Sequence, residues 1–241
     1  MSVMTGKTVG ELALEMPVAT RIFEKLGIDY CCGGNRTLEQ ACQAARVPLD
    51  QAVDSLEVAD LTARASREDR DWQTEPLSEL IEHIKNTHHK YVREETARLR
   101  PLFEKVCSVH GTNHPELLGL RTTLASLAQE LATHMMKEEM VLFPYIVRLE
   151  EAVTEKVAAV PPPFGSVRNP VAMMMHEHDD AGNALREMRQ GSQGYTAPAD
   201  ACVSFRALYQ ALADFEADLH THIHLENNIL FPRAVEMERA H

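Results

Sequence analysis

The chain has 241 residues, of which 44% are hydrophobic but only 5% aromatic, and a formal net charge of -12. That length holds one medium domain and a small one, and a Leu-, Ala- and Met-rich composition suits packed helices better than a sheet. The negative charge repels nucleic acid and anionic membranes, and no apolar run approaches the ~20 residues that cross a bilayer. The Met1 to Gly10 stretch lacks the apolar core of a signal peptide, so a cytoplasmic protein with neither nucleic-acid nor membrane partners is expected. Cys31, Cys32, Cys42, Cys107 and Cys202 are odd in number and show no disulfide framework, as in a reducing compartment.

Residues 1–58 read as a compact helical module. Thr8 caps a short helix, Pro17 to Leu26 form a second that stops at Gly27, Thr37 caps a third through Arg46, and Pro48 begins a fourth. Asp29-Tyr30-Cys31-Cys32-Gly33-Gly34 lies between the second and third. A disulfide between adjacent residues is strained, which leaves two readings of Cys31 and Cys32 open. They are exposed thiolates that hold iron or exchange with another thiol, or a tight turn with one buried cysteine. Residues 59–75 form a charged linker (Arg64, Arg67, Glu68, Asp69, Arg70, Asp71) that permits relative motion.

Four long helices are predicted in residues 76–241. Thr74 with Pro76, Asn113 with Pro115, Asn169 with Pro170 and Thr196 with Pro198 resemble caps with Pro in the first turn, each opening one helix. Glu151 to Asn169 joins two helical hairpins, and Gly191 to Pro198 joins the last pair. Pro144 and Pro232 are expected to kink or end their helices.

The informative feature is a repeat. His134-Met135-Met136-Lys137-Glu138 runs on to Leu142-Phe143-Pro144, and His222-Ile223-His224-Leu225-Glu226 runs on to Leu230-Phe231-Pro232. A His and a Glu four residues apart leave one face of a helix. A lone histidine precedes each copy at similar distance, His88 and His178, which suggests a duplicated helical hairpin around a pseudo-twofold site. Periodicity places these residues inward. Leu77, Leu80, Ile81 and Ile84 lead to His88 and Tyr91, with His83 and His89 off the stripe. Leu117, Leu120, Leu124, Leu127 and Leu131 lead to His134, Glu138 and Leu142; Val171 and Met174 lead to His178, Leu185 and Met188; Leu208, Phe215 and Leu219 lead to His222, Glu226 and Ile229.

A core histidine alone is ordinarily structural. Glu138 and Glu226, however, cost several kcal/mol each to bury ionised without a compensating charge, and two divalent cations supply it. The resulting site stays net positive and accepts a bridging hydroxide, oxide or small anion. Imidazoles with bridging carboxylates inside four helices argue for iron first, with zinc left open. The His-Glu-x-x-His zinc pattern is absent, since His176-Glu177-His178-Asp179 has the wrong spacing.

Asp-Tyr-Cys-Cys-Gly-Gly at 29–34, the two His-x-x-x-Glu segments with their Leu-Phe-Pro sequels, and Glu177-His178-Asp179 together resemble the repair-of-iron-centres family of di-iron iron-sulfur cluster repair proteins. The resemblance spans nearly the whole chain. It implies an all-α protein: a hemerythrin-like four-helix bundle behind a small N-terminal helical domain. It also implies two non-haem irons on His88, His134, Glu138, His178, His222 and Glu226, bridged by carboxylates and an oxo group where one forms. The implied work is repair of clusters damaged by nitric oxide or peroxide, through iron donation and NO binding, with damaged iron-sulfur proteins as partners. The chain departs from the oxygen-carrying hemerythrins in its histidine set and last-helix spacing. Alternatives are a di-iron enzyme that reduces NO or peroxide, and a diatomic-gas or redox sensor. Cys31 and Cys32 are candidates for receiving or passing iron. Glu130 and Glu177 are either outer acceptors, proton carriers or part of an exit path, or ordinary helix-face glutamates. Met135, Met136, Met140 and Met173 to Met175 are expected as core packing. A homodimer is also envisaged.

Overall fold

The computed structural model describes residues 4, 6–63, 71–158 and 161–241. Arg64, Arg67, Glu68, Asp69 and Arg70 of the expected linker lie outside them. The described residues are helical between their connections, with one isolated β-bridge, Thr8 to Thr37, and no named strand. Packing groups the chain up to Leu80 with His220–Glu236, and Ile81–Leu219 with Met237–His241.

In the first unit, α1 (Val9–Glu15), α2 (Ala19–Leu26), α3 (Leu38–Ala45) and α4 (Leu49–Ala63) follow the predicted order. Thr8 and Thr37 each close a reciprocal capping box, with Glu11 and Gln40 respectively. Each hydroxyl satisfies an orphan N–H at a helix start, a device that contributes about 1 kcal/mol. Gly27 ends α2 in the left-handed region at φ 66°, which a Cβ would disfavour. Val9, Leu12, Phe23, Tyr30, Leu38 and Leu56 form the small core. Residues 59–63 belong to α4, so the expected linker is shorter at its start; Asp71 opens a turn that accepts from the N–H of Thr74. His220–Glu236, which its repeat assigned to the bundle, groups with this module. His220 Nδ1 lies 2.7 Å from Glu24 Oε1, and Arg233 donates to the Trp72 carbonyl at 2.7 Å.

The second unit is a four-helix bundle. After α5 (Leu77–Ile84) come α6 (Lys90–His110), α7 (Glu116–Lys137), α8 (Phe143–Glu155), α9 (Arg168–Gly191) and α10 (Val203–Leu225), the last belonging to this unit as far as Leu219. α6 and α9 both pack on α7, while α10 brings Phe205 against His110 and His114 and Phe215 against Tyr91. The predicted inward stripes of α7 and α9 are buried throughout, because a 3.6-residue repeat of Leu and Met has one favourable place to go.

Three details differ from expectation. The Asx and Thr residues before the prolines are not caps: Thr74 donates to Asp71 O and Asn169 to Phe164 O. Pro198 sits in a turn, and α10 starts only at Val203. The start of α9 is served from far along the chain, where Glu238 accepts from the Val167 N–H at 2.8 Å and from Ser166 and Tyr145.

Pro144 and Pro232 do not break their helices. π turns at Glu138–Leu142 and Glu226–Leu230 precede α8 and α11 (Phe231–Ala240). Phe143 N–H reaches back five residues to Glu138 O, and Phe231 N–H to Glu226 O. The widened turn lets a proline enter the first turn of the next helical segment without its ring striking the preceding wall. A third π turn, Lys85–His89, joins α5 to α6.

Candidate metal centre

Within the second unit, His134, Glu138 and His178 bring one donor atom each to within 4.8 Å of one another, and all three are buried. His134 Nε2 is 3.3 Å from Glu138 Oε2 and 3.1 Å from His178 Nε2. α7 supplies the first two at one-turn spacing, and α9 supplies the third from its apolar stripe. His89 joins them from the end of its π turn, with Nε2 3.5 Å from Glu138 Oε2.

His88 is the correction. It is buried too, but its Nδ1 faces Asp218 Oδ1 at 3.0 Å, and among the described residues it enters no ligand cluster. The cause is the π turn: one inserted residue advances the register, so residue 89 takes the inward place that ideal periodicity gives to residue 88. Val92, Glu95, Leu99, Phe103 and Val106 continue that shifted face.

Behind the cluster stand carboxylates. His134 Nδ1 lies 2.9 Å from Glu177 Oε2, and Lys137 also donates to Glu177. His89 Nδ1 lies 2.7 Å from Glu139 Oε1, which also accepts from Arg93 at 2.6 Å. Burial opposes ionisation at both acids, but the bonds from Lys137 and His134 to Glu177, and from His89 and Arg93 to Glu139, outweigh it and hold both below the usual carboxylate range. An ionised carboxylate only accepts, so each imidazole donates from Nδ1, which leaves Nε2 as the nitrogen that faces Glu138 and is placed to take a metal. That is how proteins orient metal-binding histidines.

The donors fit a metal. A cation with imidazole bonds of about 2.1 Å holds neighbouring nitrogens roughly 3.0–3.4 Å apart, the separation seen between His134 and His178. Buried carboxylate and imidazole are also the donor types that iron accepts. A cleft of about 470 Å³ between α7 and α9 reaches this cluster and is lined by Glu130, Thr133, His134, Lys137, Glu177 and His178. Glu130 is exposed on its wall and accepts from Ser126, so it does not hold His134 as Glu177 does.

The first unit carries the second pair. His222 Nε2 lies 3.1 Å from Glu226 Oε1, both buried, with Glu226 opening the π turn as Glu138 does in its own repeat. His224, off the predicted stripe, is also buried; it packs 5.4 Å from the Tyr30 ring, and burial pushes its pKa down to about 4. Asn228 lies 2.9 Å from His224 Nδ1 and donates to Tyr30 O at 3.3 Å. Cys31 is buried and Cys32 half-buried, which favours the tight turn with one buried thiol. Their sulfurs are 4.0 Å apart, and Asp29 Oδ1 is 3.5 Å from Cys31 Sγ. The hydrogen bond to Cys32, with burial, pushes the Cys31 thiol up, so it is no resting thiolate. Asp29, Cys31 and Cys32 nonetheless place three donors within 4.8 Å. Met135 and Met174 are core residues as expected, but Met136, Met140, Met173 and Met175 are exposed.

Sequence reasoning passed over His89, Glu139, Asp218 and Asn228. The adjacent pairs His88-His89 and Glu138-Glu139 were the available signal, but one-residue choices need the helix register.

Comparison with known proteins agrees with this chemistry. Residues 80–234 match the hemerythrin HHE cation binding domain, and residues 5–60 match ScdA_N, a domain of unknown function (DUF542). The chain is 40% identical to the iron-sulfur cluster repair protein YtfE of Musicola paradisiaca, over 96% of this chain and 97% of that one. It is 38% identical to the protein of that name from Pectobacterium carotovorum, over 96% and 98%, and 38% to that of Escherichia coli O157:H7, over 95% and 97%. No helix among the described residues is long and apolar enough to cross a membrane.

Proposed function

This chain belongs to the family of the iron-sulfur cluster repair proteins, built on the hemerythrin HHE domain, and we propose that it restores damaged iron-sulfur clusters with two irons held in its bundle. The observation that carries the reading is the buried meeting of His134, Glu138 and His178, with Glu177 orienting His134 from behind. We assign the ligands as His89, His134, Glu138, His178, His222 and Glu226, with His89 in place of His88. Support for joining the two His-Glu pairs comes from the repeat: each pair ends in a glutamate that opens a π turn before Leu-Phe-Pro.

Bound iron would supply a redox-active centre that takes small ligands such as nitric oxide and can be surrendered to a depleted cluster. The residues around it do the rest. Glu177 and Glu139 keep the Nε2 lone pairs of His134 and His89 turned inward, and Lys137 and Arg93 keep those acids ionised. The cleft beside His134 and His178 offers a route of exchange. Cys31 and Cys32, with Asp29, supply a soft acceptor once their thiol protons are displaced. The same reading sets the protein in the cytoplasm under nitrosative or oxidative stress, and cell fractionation checks the location. Sedimentation velocity tests whether the chain forms a homodimer.

Elemental analysis with Mössbauer spectroscopy on anaerobically purified protein is the test. Two coupled irons per chain, lost in Glu138→Ala/Glu226→Ala, and recovery of a nitric-oxide-damaged cluster protein on mixing, are expected. One zinc, or no metal, overturns it. Steady NO consumption with an electron donor and no client would establish the enzyme instead.

A further inference from the structure

Asn228 occupies the π turn that Glu226 opens, and its side chain lies against the Asp29–Gly34 turn that carries both cysteines. The Tyr30 carbonyl can only accept, so Asn228 Nδ2 is the atom that faces it, and its second hydrogen goes to His224 Nδ1. One hydrogen of the amide thus joins the dithiol turn to the helical run of His222 and Glu226, while the other, on His224 one turn back in that run, fixes the amide's orientation.

The neighbouring glycines show how closely the two segments meet. A Cβ at Gly34 would stand 2.9 Å from Tyr30 O and 3.0 Å from Asn228 Oδ1. One at Gly10 would stand 2.8 Å from Gly34 O, the carbonyl that accepts from the Gly10 N–H. The Tyr30 ring closes the contact against His224. Gly33 N–H donates to Asp29 Oδ1 at 2.9 Å, so the cysteine turn is internally braced and moves as a piece.

We propose that Asn228 is a positioning residue that couples the π turn bearing Glu226 to the Cys31–Cys32 turn, so that metal at Glu226 alters the reactivity of the two thiols. The proposal rests on the iron-binding reading above. The physical basis is that a π turn holds an inserted residue and has a competing α-helical register. A cation that binds Glu226 differently in the two arrangements biases them. Asn228, inside the same five residues, passes the change to Tyr30 O and so to Cys31.

The test is iodoacetamide labelling of the full-length protein, with Cys31 and Cys32 resolved by mass spectrometry, in metal-free and Fe(II)-loaded samples whose iron is assayed in parallel. In the wild type the labelling rates should differ several-fold between the two states. Asn228→Leu, which fills the space without donors, should speed Cys31 labelling by up to about tenfold in the metal-free protein, as expected when the hydrogen bond that spans the contact is lost from a local opening equilibrium. It should also erase most of the iron dependence while retaining iron. Gly34→Ala, which pushes the turn away from the other side, should do the same, and Asn228→Gln, which keeps both donors, should restore part of the coupling. Iron bound with no change in labelling overturns the coupling alone, whereas absence of iron from the wild type overturns the iron reading as well. An Asn228→Leu protein that is folded by circular dichroism and labels at the wild-type metal-free rate removes the clamp whatever the metal result.

Discussion

His88 and His89 are chain neighbours with different surroundings: one faces Asp218, the other Glu138 and Glu139. If His89 is the ligand, His89→Ala should lose much of the bound iron while His88→Gln keeps it, as read by elemental analysis. Equal losses would return His88 to the site. Glu177→Gln tests the layer behind the ligands, because a neutral amide no longer enforces a proton on His134 Nδ1 and leaves Lys137 without its charge partner. Iron affinity should fall about 10- to 100-fold by competition with a chelator, with the helical content unchanged. At this scale the sequence was explicit about residue type and nearly so about position. Glu138 and Glu226 stood out as carboxylates on core stripes, and both are buried. His89 was hidden because its inward turn depends on one inserted residue.

The helices owe their existence to local pattern and their ends to distant partners. Thr8 and Thr37 are local devices, and both operate as the sequence suggests. The start of α9 is not local: Glu238, about seventy residues on, takes the Val167 N–H, Ser166 and Tyr145. Glu238→Ala should therefore destabilise the chain by about 1–3 kcal/mol in urea denaturation at neutral pH. Burial works against ionisation of Glu238, but its three hydrogen bonds outweigh that and lower its pKa from 4.5. A depressed folded pKa contributes stability that is fully present above about 4.5 and is lost as the pH falls through the folded value. The gap between wild type and variant should accordingly narrow in acid; a constant gap would show that charge is irrelevant there. The π turns belong to this scale as well, since Pro144 and Pro232 suggested a kink or an end where the chain widens one turn and continues.

For the molecule as a whole, metal binding and folding are linked. A site assembled from several helices exists only in the folded chain, so iron should stabilise it by mass action, by about 2.7 kcal/mol at a free concentration a hundred times the dissociation constant. Anaerobic denaturation with Fe(II) and with a chelator should give midpoints that differ in that direction, and coincident midpoints would mean that the bundle does not hold iron tightly. His114 offers a metal-independent check. Its hydrogen bond to Asp200, reinforced by Glu116, raises its pKa from 6.5. The stability it contributes is present below about 6.5 and is lost as the pH rises through the higher folded value, so His114→Gln should cost more stability at pH 6 than at pH 9.

The sequence by itself determined the all-helical class, the capped starts of α1 and α3, the inward faces of α7 and α9, and the repeated His-Glu pair. All of these follow from spacing along one helix, which a 3.6-residue repeat states outright. Tertiary structure alone decided that His89 rather than His88 faces Glu138, that Glu177 and Glu139 stand behind the imidazoles, that Glu238 serves α9, and that Asn228 meets the cysteine turn. Each of these is a contact between segments far apart in the chain or a one-residue change of register, and neither leaves a periodic trace, because both depend on how separate helices pack.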